Sequence, residues 1–306
     1  MTAAPVAATR LPRVRIDLHT HSDRSDGTTS PADVVREAHA AGMDVVALTD
    51  HDTTEGWGEA ADAAAGTGIA LVRGLELSCK LAGYGVHLLG YLPDPTYPPL
   101  AEELERILDG RNARLPATLD KLRQIGIDIH VEDVREQARE AVAFGRPHVA
   151  DALVRKGIVA SRGEAFDRFL GPQGPAYVRR YAADLFAMVH TITEAGGVSV
   201  LAHPWAGRHN HRALDEAMFA ELKDAGMAGI EVDHEDHDPR TRETLRGIAR
   251  NLDLLVTGSS DYHGAGKVDH EIGCNTTAPE QLERLLDLAK QTAAASGRPA
   301  PAVVLP

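Results

Sequence analysis

Three potential metal ligands follow the first apolar segment of the chain. His19 and His21 stand two residues apart at the end of the alternating segment 14–18, and Asp26 follows after a short turn. In an extended chain, residues two apart point to the same side, so both imidazoles can bind one ion. A histidine pair alone is equally typical of an ordinary protein surface. The metal hypothesis therefore depends on ligands elsewhere in the chain.

Further potential ligands follow five later apolar segments. Segments 44–48, 69–72, 198–201, 229–232 and 254–257 are predicted to be buried strands, and each leads to a histidine or a carboxylate. In an α/β barrel the carboxyl ends of the strands meet at one rim, where active sites are built. One such residue would be typical of a solvated loop, whereas the repeated pattern predicts a shared site. These later residues are His51, Glu76, His203, His234, Asp261 and His263.

The chemistry of this set predicts divalent metal ions. Histidines and carboxylates without cysteine favour Mn, Fe or Zn. The set is too large for one ion, so we expect two or three ions with Glu76 and Asp261 as bridging carboxylates, and His87 is a further potential ligand. The eight predicted metal ligands are His19, His21, Asp26, His51, Glu76, His203, Asp261 and His263.

Such a cluster is typical of metallophosphoesterases. Divalent ions lower the pKa of a bound water, so that hydroxide forms near neutral pH, and they clamp the oxygens of a phosphate. We therefore expect a metal-dependent hydrolase in which metal-bound hydroxide attacks phosphorus, without a nucleophilic side chain. The predicted catalytic residues are Asp26, His51, Asp261 and His263.

The order of predicted elements indicates an α/β protein with an insertion. Strands and helices alternate before residue 92 and again after residue 184, which is typical of a sheet with helical crossovers. Between these parts only helices are predicted. We expect a discontinuous barrel domain over 13–98 and 182–295, a helical cap over 99–181, and flexible ends at 1–12 and 296–306.

Composition excludes several classes of protein. The chain of 306 residues has a formal charge of −13, which argues against a protein that coats nucleic acid. Residues 99–181 are nearly neutral, with 14 Lys and Arg against 13 Asp and Glu, so clustered arginines there could receive an anion, although most of them are more typical of solvated helix faces. Cys79 and Cys274 are too few for a disulfide framework. Without a signal-peptide core or a membrane-spanning run, we expect a cytoplasmic protein with no membrane partner.

Most of the predicted ligands fall in four short motifs. The motifs are His19-Thr20-His21-Ser22, Thr49-Asp50-His51-Asp52, Ala202-His203-Pro204 and Ser260-Asp261-Tyr262-His263. They resemble those of the PHP (polymerase and histidinol phosphatase) superfamily, and the chain is most similar to a branch with a helical insertion between Glu76 and the Ala-His-Pro motif. This resemblance implies a distorted seven-stranded β/α (TIM-like) barrel with metals at its C-terminal rim and an inserted helical subdomain.

The resemblance also implies how the ligands are shared between ions. Relatives with a full three-metal site have a histidine where this chain has Leu92-Pro93, so His87 is expected either to replace it or to contact phosphate. By the same resemblance, one ion is held by His19, His21, Glu76 and Asp261, a second by Asp26, His51 and His263, and a third by Glu76 and His203.

The substrate follows from the same resemblance. This branch removes the 3′-phosphate of nucleoside 3′,5′-bisphosphates and trims short RNA from its 5′ end, which implies a small phosphorylated nucleotide or short RNA as substrate. Duplex nucleic acid is not expected to bind stably, and the oligomeric state is left open. Histidinol phosphate is the alternative substrate, and a metal-binding module without activity is the alternative to an enzyme.

In addition to His87, four further residues are predicted to bind substrate. Arg146 and His148 open a predicted helix, where they would bind the non-reacting phosphate or only cap the helix. His234 and His237 follow a strand end, where they would contact substrate or act as a general acid.

Overall fold

The computed structural model describes residues 14–206, 213–299 and 303. The segment 1–12, predicted to be flexible, and His209 and His211, predicted to lie in a loop, fall outside these ranges. The strands are β1 (Ile16–Asp17), β2 (Val45–Leu48), β3 (Ala70–Leu81), β4 (Tyr84–Tyr91), β5 (Ala183–Asp184), β6 (Val198–Ala202), β7 (Gly229–Asp233) and β8 (Leu255–Gly258).

Helices connect most of the strands. The helices are α1 (Pro31–Ala40), α2 (Trp57–Thr67), α3 (Pro98–Gln124), α4 (Val131–Ala138), α5 (Arg146–Arg155), α6 (Arg162–Ala165), α7 (Leu185–Glu194), α8 (Glu216–Asp224), α9 (Pro239–Asn251) and α10 (Pro279–Ala295). A π-helical turn, Phe166–Leu170, continues α6.

The sheet is a nearly closed barrel of seven strands. Its order is β1-β2-β3-β4-β6-β7-β8, and the short β5 pairs with β3 outside this path. The pairs are parallel except those of β4, which is antiparallel to both β3 and β6. Past the strand ends, the His21 N–H donates to the Tyr262 carbonyl over 2.8 Å and links the two ends of the sheet. The predicted α/β class and distorted seven-stranded barrel are confirmed.

Alternation along the strands separates two apolar clusters. Val45 and Ala47 of β2 belong to a cluster made by alternate residues of several strands, whereas Val46 and Leu48 belong to a second cluster with the surrounding helices. Because successive side chains of a strand point to opposite faces, the first cluster fills the barrel interior. Helix α10 contributes to this interior cluster with Leu282, Leu285 and Ala289.

The helices between β4 and β5 have an apolar cluster of their own. Leu119 and Leu122 of α3, Val134 of α4 and Leu153 of α5 are buried in it, separately from the two clusters of the barrel. This separate cluster supports the predicted helical cap over 99–181. The domain boundaries themselves stay a prediction.

Sequence signals set several helix starts. Ser30 caps α1 by accepting a hydrogen bond from Asp33 N–H over 3.1 Å, and Pro31 occupies the first turn, as predicted. Aspartate side chains cap α7, α8 and α9 in the same manner, through Asp184, Asp215 and Asp238. Within the described ranges, the chain forms no helix with the length and apolarity needed to cross a membrane.

Truncation of Leu285 tests the role of α10 in the barrel interior. We expect Leu285→Ala to lower the free energy of unfolding by about 2–5 kcal/mol, because it leaves a cavity in a closely packed cluster. The matched control is Ile125→Ala, since Ile125 is an exposed aliphatic residue and its loss is expected to cost below about 0.5 kcal/mol. Urea unfolding of both variants measures the difference, and equal midpoints would contradict the interior placement of α10.

Candidate metal centre

Four predicted ligands converge in a buried group at the C-terminal rim of the barrel. His19 and His21 follow β1, Glu76 lies within β3, and Asp261 follows β8. The two Nε2 atoms of the histidines lie 3.0 Å apart. Glu76 Oε2 lies 3.3 Å from His19 Nε2 and 3.2 Å from His21 Nε2, and Asp261 Oδ1 lies 3.4 and 3.3 Å from the same atoms. The structure thus brings together the four residues assigned by resemblance to one ion.

A second group lies beside the first. Asp26 Oδ1 lies 3.2 Å from His263 Nε2, and Asp26 Oδ2 lies 3.7 Å from His51 Nε2. The His21 ring borders both groups, because its Nδ1 atom lies 3.9 Å from Asp26 Oδ1. The potential ligand atoms of these four residues all lie within 4.8 Å of one another. Two groups that share a border suit two neighbouring ions.

Glu76 connects these groups to two further histidines. Its Oε2 atom lies 3.1 Å from His51 Nδ1, and its Oε1 atom lies 2.8 Å from His87 Nδ1 and 3.0 Å from His203 Nε2. His87 reaches this position because β4 runs antiparallel and places it opposite Ala202, next to His203. Among the predicted ligands, His87 is the most open, with a side chain that is 35% exposed.

The hydrogen bonds of these residues fit a site for cations. Asp26 Oδ1 and Asp261 Oδ1, like His51 Nδ1 and His87 Nδ1, are buried atoms that make no hydrogen bond. Buried carboxylate oxygens without a donor are costly unless a cation binds them. Oxygen and imidazole nitrogen ligands of this mixture suit Mn, Fe or Zn. The donor set therefore fits divalent metal ions.

The charges of the buried groups also suit divalent cations. Burial opposes ionisation of Glu76, yet the nearby imidazoles of His51, His87 and His19 hold its pKa well below the usual value. Burial also disfavours a charged His21, but the nearby carboxylates of Asp261 and Glu76 raise the pKa of its ring to about 9. Burial lowers the pKa of His51 to about 3, although the carboxylates of Glu76 and Asp26 oppose this shift. Cations that replaced the protons on the raised histidines would leave the carboxylates ionised.

Glu231 supports two of the predicted ligands, although the sequence analysis does not name it as a site residue. It lies in β7 and is fully buried, and its Oε1 atom accepts hydrogen bonds from His19 Nδ1 over 3.0 Å and from Ser259 Oγ over 2.9 Å. Its Oε2 atom accepts from the His203 N–H over 2.9 Å. Occupation of Nδ1 leaves His19 Nε2 for an ion, which is the usual arrangement around a metal-bound histidine. The available signal was a charged residue inside an otherwise apolar strand.

Three buried aspartates hold the loops that carry the ligands. Asp50 accepts hydrogen bonds from Ser22 N–H over 2.8 Å and from Ser25 Oγ over 2.6 Å. Asp17 accepts from the N–H groups of Ser260 and Gly273, over 3.1 and 2.8 Å. The third aspartate, Asp52, accepts a hydrogen bond from Ser78 Oγ over 2.8 Å and forms an ion pair with Arg111. Ligand loops from opposite sides of the barrel are thereby tied to strand ends.

The far oxygen of Asp261 is held by a lysine and a histidine. Lys267 Nζ donates to Asp261 Oδ2 over 2.5 Å. Asp236 N–H donates to His234 Nδ1 over 3.1 Å, so the proton of His234 lies on Nε2 and donates to Asp261 Oδ2 over 3.2 Å. Asp261 also has a φ of 54°, a costly conformation for a residue with a side chain. These contacts aim Oδ1 at the first ligand group.

The predicted substrate residues differ in their surroundings. His237 is buried, its Nδ1–H donates to the Val232 carbonyl over 2.9 Å, and its Nε2 accepts from Trp205 N–H over 3.3 Å. Neither ring nitrogen of His237 is left for substrate, so it supports the loop after β6. His234 supports Asp261 in the same manner, through both of its ring nitrogens. The predicted direct contact with substrate therefore does not fit either residue.

His148 and Arg146 lie at the start of α5, as predicted. His148 accepts a hydrogen bond from Gly145 N–H through Nδ1 over 3.0 Å, and its side chain lines a small pocket with Asp26, His51 and Arg111. Arg146 donates to the Leu170 carbonyl over 3.0 Å. The helix cap and the position beside the ligands are thus both present.

Arg146 belongs to a cluster of buried arginines, and the sequence alone did not identify its other members. Burial and the charges of Arg146, Arg180 and Arg111 lower the pKa of Arg114 to about 9. Burial and Arg111 likewise lower the pKa of Arg180 to about 10, although Asp52 opposes this shift. We call Arg111, Arg114, Arg146 and Arg180 the arginine cluster. Burial is the larger cause of both shifts, and the neighbouring guanidinium charges add to it.

Only one member of the arginine cluster has a close carboxylate partner among the described residues. Arg111 donates to Asp52 Oδ2 through Nε over 2.8 Å and to Ser78 Oγ through Nη2 over 2.8 Å. Asp52 also accepts from Ser78 N–H over 2.6 Å, so Arg111 is fixed beside the loop that carries His51. The arginine cluster therefore reaches the second ligand group through Arg111, which lines a pocket with Asp26 and His51.

Loss of the charge on Glu231 tests its support of the metal ligands. We expect Glu231→Gln to weaken Mn²⁺ binding about 10- to 100-fold, because the amide no longer fixes the His19 proton on Nδ1 with a full charge. The control is Glu243→Gln, an exposed glutamate of α9. Titration against a chelating dye measures the affinity, and equal values for wild type and Glu231→Gln would remove Glu231 from the metal centre.

Comparison with known proteins agrees with this geometry. The family model described as PHP domain matches residues 17–154. The chain is 34% identical over 249 residues to a 5′-3′ exoribonuclease of Haemophilus influenzae, which covers 81% of this chain and 90% of that protein. It is 35% identical over 265 residues to a 3′,5′-nucleoside bisphosphate phosphatase of Chromobacterium violaceum, which covers 86% of this chain and 92% of that protein.

Solved structures show the same fold. A protein of Bifidobacterium adolescentis that is assigned to the metal-dependent phosphoesterases superposes with a TM-score of 0.86 at 33% identity, over 90% of this chain and 97% of its own. A Chromobacterium violaceum protein described as an amidohydrolase superposes with a TM-score of 0.81 at 32% identity, over the same shares of the two chains. With its ordered ligand motifs and its barrel, this chain belongs to the PHP domain family and is a metal-dependent phosphoesterase.

Proposed function

We propose that the protein hydrolyses the 3′-phosphate of nucleoside 3′,5′-bisphosphates. The observation that carries this proposal is the position of the arginine cluster beside the metal ligands. The ligand groups suit one phosphate, which would react, and the arginine cluster suits a second anion, which would not. A substrate with two phosphates can engage both parts of the site.

The ligand groups would hold the ions that the reaction needs. His19, His21, Glu76 and Asp261 would hold one ion, and Asp26, His51 and His263 a second, as the distances between their ligand atoms suggest. When bound, divalent ions would lower the pKa of a coordinated water and neutralise the oxygens of the reacting phosphate. Mn, Fe and Zn all suit these ligands. A third ion near Glu76 would be held by His87 and His203, which both approach Oε1.

The protein residues orient both the ligands and the substrate. Glu231 and Lys267 fix the orientation of His19 and Asp261. His87, which is the most open of the predicted ligands, can donate to a phosphate oxygen or bind an ion. His148 borders Asp26 and His51, so a phosphate held there is close to both parts of the site.

The arginine cluster would bind the phosphate that does not react. Arg114 is buried and has no carboxylate ion pair among the described residues. A bound phosphate would supply the missing negative charge and form charge-assisted hydrogen bonds with these guanidinium groups. The helical cap over 99–181 supplies all four arginines, so we propose that this segment selects doubly anionic substrates.

Short RNA is the second candidate substrate. One relative at 34% identity is named a 5′-3′ exoribonuclease, and another at 35% is named a 3′,5′-nucleoside bisphosphate phosphatase. An RNA with a 5′-phosphate also presents one anion to the arginine cluster and a phosphoester to the metal ligands. Histidinol phosphate has only one phosphate and would leave the arginine cluster unused. A cytoplasmic location remains a prediction.

A panel of substrates tests the proposed function. Phosphate release is measured from adenosine 3′,5′-bisphosphate, 3′-AMP, AMP and histidinol phosphate, with Mn²⁺ and with a chelator as control. We expect chelator-sensitive release, fastest from the bisphosphate, because only this substrate engages both charged parts of the site. Faster release from AMP or histidinol phosphate would contradict the substrate assignment. Products shortened one nucleotide at a time from a 5′-phosphorylated RNA would favour the second candidate.

Removal of one guanidinium group tests the arginine cluster. We expect Arg114→Met to reduce kcat/KM for adenosine 3′,5′-bisphosphate about 10- to 100-fold, since a hydrogen bond to a charged group contributes about 1.5–3 kcal/mol. The reaction of 3′-AMP should change little, because this substrate lacks the second phosphate. Arg155→Met, at an exposed arginine of α5, is the control. An equal loss for both substrates would show that Arg114 does not recognise the second phosphate.

A further inference from the structure

The helical segment between β4 and β5 donates hydrogen bonds to the backbone of the loop that carries Asp26. The Arg24 carbonyl accepts a hydrogen bond from Val142 N–H over 3.1 Å, the Asp26 carbonyl from Arg162 Nη1 over 3.0 Å, and the Thr28 carbonyl from Arg139 Nη1 over 3.4 Å. These three carbonyls belong to alternate residues of one loop. The donors come from residues 139–162, outside the strands of the barrel. The position of this predicted ligand therefore depends on the docking of the helical segment.

Arg162 is the most strongly fixed of these donors. Its Nε and Nη2 atoms donate to the two oxygens of Asp151, each over 2.6 Å. Such a bidentate pair leaves the guanidinium plane little freedom. Asp151 lies in α5 and Arg162 opens α6, so the pair fixes the third guanidinium nitrogen, Nη1, toward the Asp26 carbonyl.

The Arg162 guanidinium also contacts the loop that follows His263, which is predicted to bind the same ion as Asp26. A Cβ atom added to Gly266 would collide with Nη1 and Cζ of Arg162, so the arginine packs closely against this glycine. Gly266 is near His263, and Gly266 N–H donates to the His263 carbonyl over 3.2 Å. Thr28 N–H donates to the same carbonyl over 3.2 Å. Arg162 thus lies where the loops of Asp26 and His263 meet.

The contacts of Arg162 argue against direct binding of substrate. All three of its nitrogen atoms donate to protein acceptors, and its side chain is only 13% exposed. The arginine cluster differs, because Arg114 has no carboxylate partner among the described residues. Arg162 therefore suits a role in the placement of protein groups.

We infer that Arg162, oriented by Asp151, is a positioning residue that couples docking of the helical segment to ion binding by Asp26, His51 and His263. The effect on turnover rests on the proposed function, whereas the effect on ion binding does not. Coupling between two equilibria is reciprocal. Ion binding must therefore stabilise the docked helical segment by the same factor by which docking strengthens ion binding.

Matched substitutions in the full-length protein test this inference. Asp151→Asn and Arg162→Lys both remove the bidentate pair while they keep a polar side chain of similar size. The controls are Glu136→Gln and Arg155→Lys, which alter the exposed Arg155–Glu136 ion pair between α5 and α4. Mn²⁺ affinity is measured on the metal-free protein with a chelating dye. We expect one Mn²⁺ to bind about 10- to 100-fold more weakly in Asp151→Asn and Arg162→Lys, and unchanged affinity in the controls.

Amide hydrogen exchange gives a second readout that needs no activity. Exchange at Val142, whose N–H donates to the Arg24 carbonyl, reports docking of the helical segment. Addition of Mn²⁺ should slow this exchange in wild type, in Glu136→Gln and in Arg155→Lys. It should slow the exchange less in Asp151→Asn, because the coupling is weakened there. Equal protection by Mn²⁺ in wild type and Asp151→Asn would contradict the inference.

Kinetics separate this role from the alternatives. At saturating Mn²⁺, we expect Asp151→Asn to regain kcat and KM close to wild type, because the added metal compensates for the weaker site. A raised KM with unchanged Mn²⁺ affinity would overturn the inference and make Arg162 a substrate contact. Equal loss of Mn²⁺ affinity in Glu136→Gln would overturn it in favour of general destabilisation. If wild type released no phosphate, the proposed function would fail, while Mn²⁺ affinity and amide exchange would still test the inference.

Discussion

The concentration of buried charge around Glu76 is the constraint on which the rest of the structure depends. Its carboxylate lies within 3.3 Å of five imidazole rings, from His19, His21, His51, His87 and His203. A carboxylate buried so fully costs several kcal/mol unless opposite charge lies close to it. The imidazoles supply part of that charge, and divalent ions would supply the rest. The barrel rim is therefore built to hold cations at a fixed position.

Hydrogen bonds from further residues fix the orientation of these potential metal ligands. Glu231 fixes the proton of His19, Lys267 and His234 occupy the far oxygen of Asp261, and Asp50 holds the loop between His21 and Asp26. Such partners keep the ligand atoms aimed at a common point before any ion arrives. The helical segment between β4 and β5 contributes two further features to the site. Its arginine cluster would attract anions, while the Arg162–Asp151 pair holds the Asp26 loop.

Much of the fold was predictable from the sequence, because strand alternation and helix caps are local signals. The segment 198–201 predicts a buried strand, and the structure has β6 at Val198–Ala202. Strand-end ligands were predictable for a related reason: parallel strands bring their carboxyl ends together. Glu231, which supports His19 and His203, has no such strand-end signal, because its charge lies inside an apolar strand.

Contacts between distant elements were beyond the reach of the sequence. Arg162 and Asp151 pair across two helices, and no periodic pattern predicts that a third nitrogen of Arg162 reaches the Asp26 carbonyl. His237 was predicted to contact substrate because it follows a strand end. The structure shows instead that backbone groups occupy both of its ring nitrogens. Whether a polar side chain is free to bind substrate depends on its hydrogen-bond partners, and tertiary packing decides which partners it meets.

Anomalous scattering from a crystal soaked in Mn²⁺ tests whether the rim ligands form a centre for more than one divalent ion. We expect at least two peaks, one bounded by His19, His21, Glu76 and Asp261 and another by Asp26, His51 and His263. A crystal of Glu76→Gln grown in the same manner should lose occupancy at the first position. A single peak away from Glu76, or no peak at saturating Mn²⁺, would show that the rim does not form such a centre.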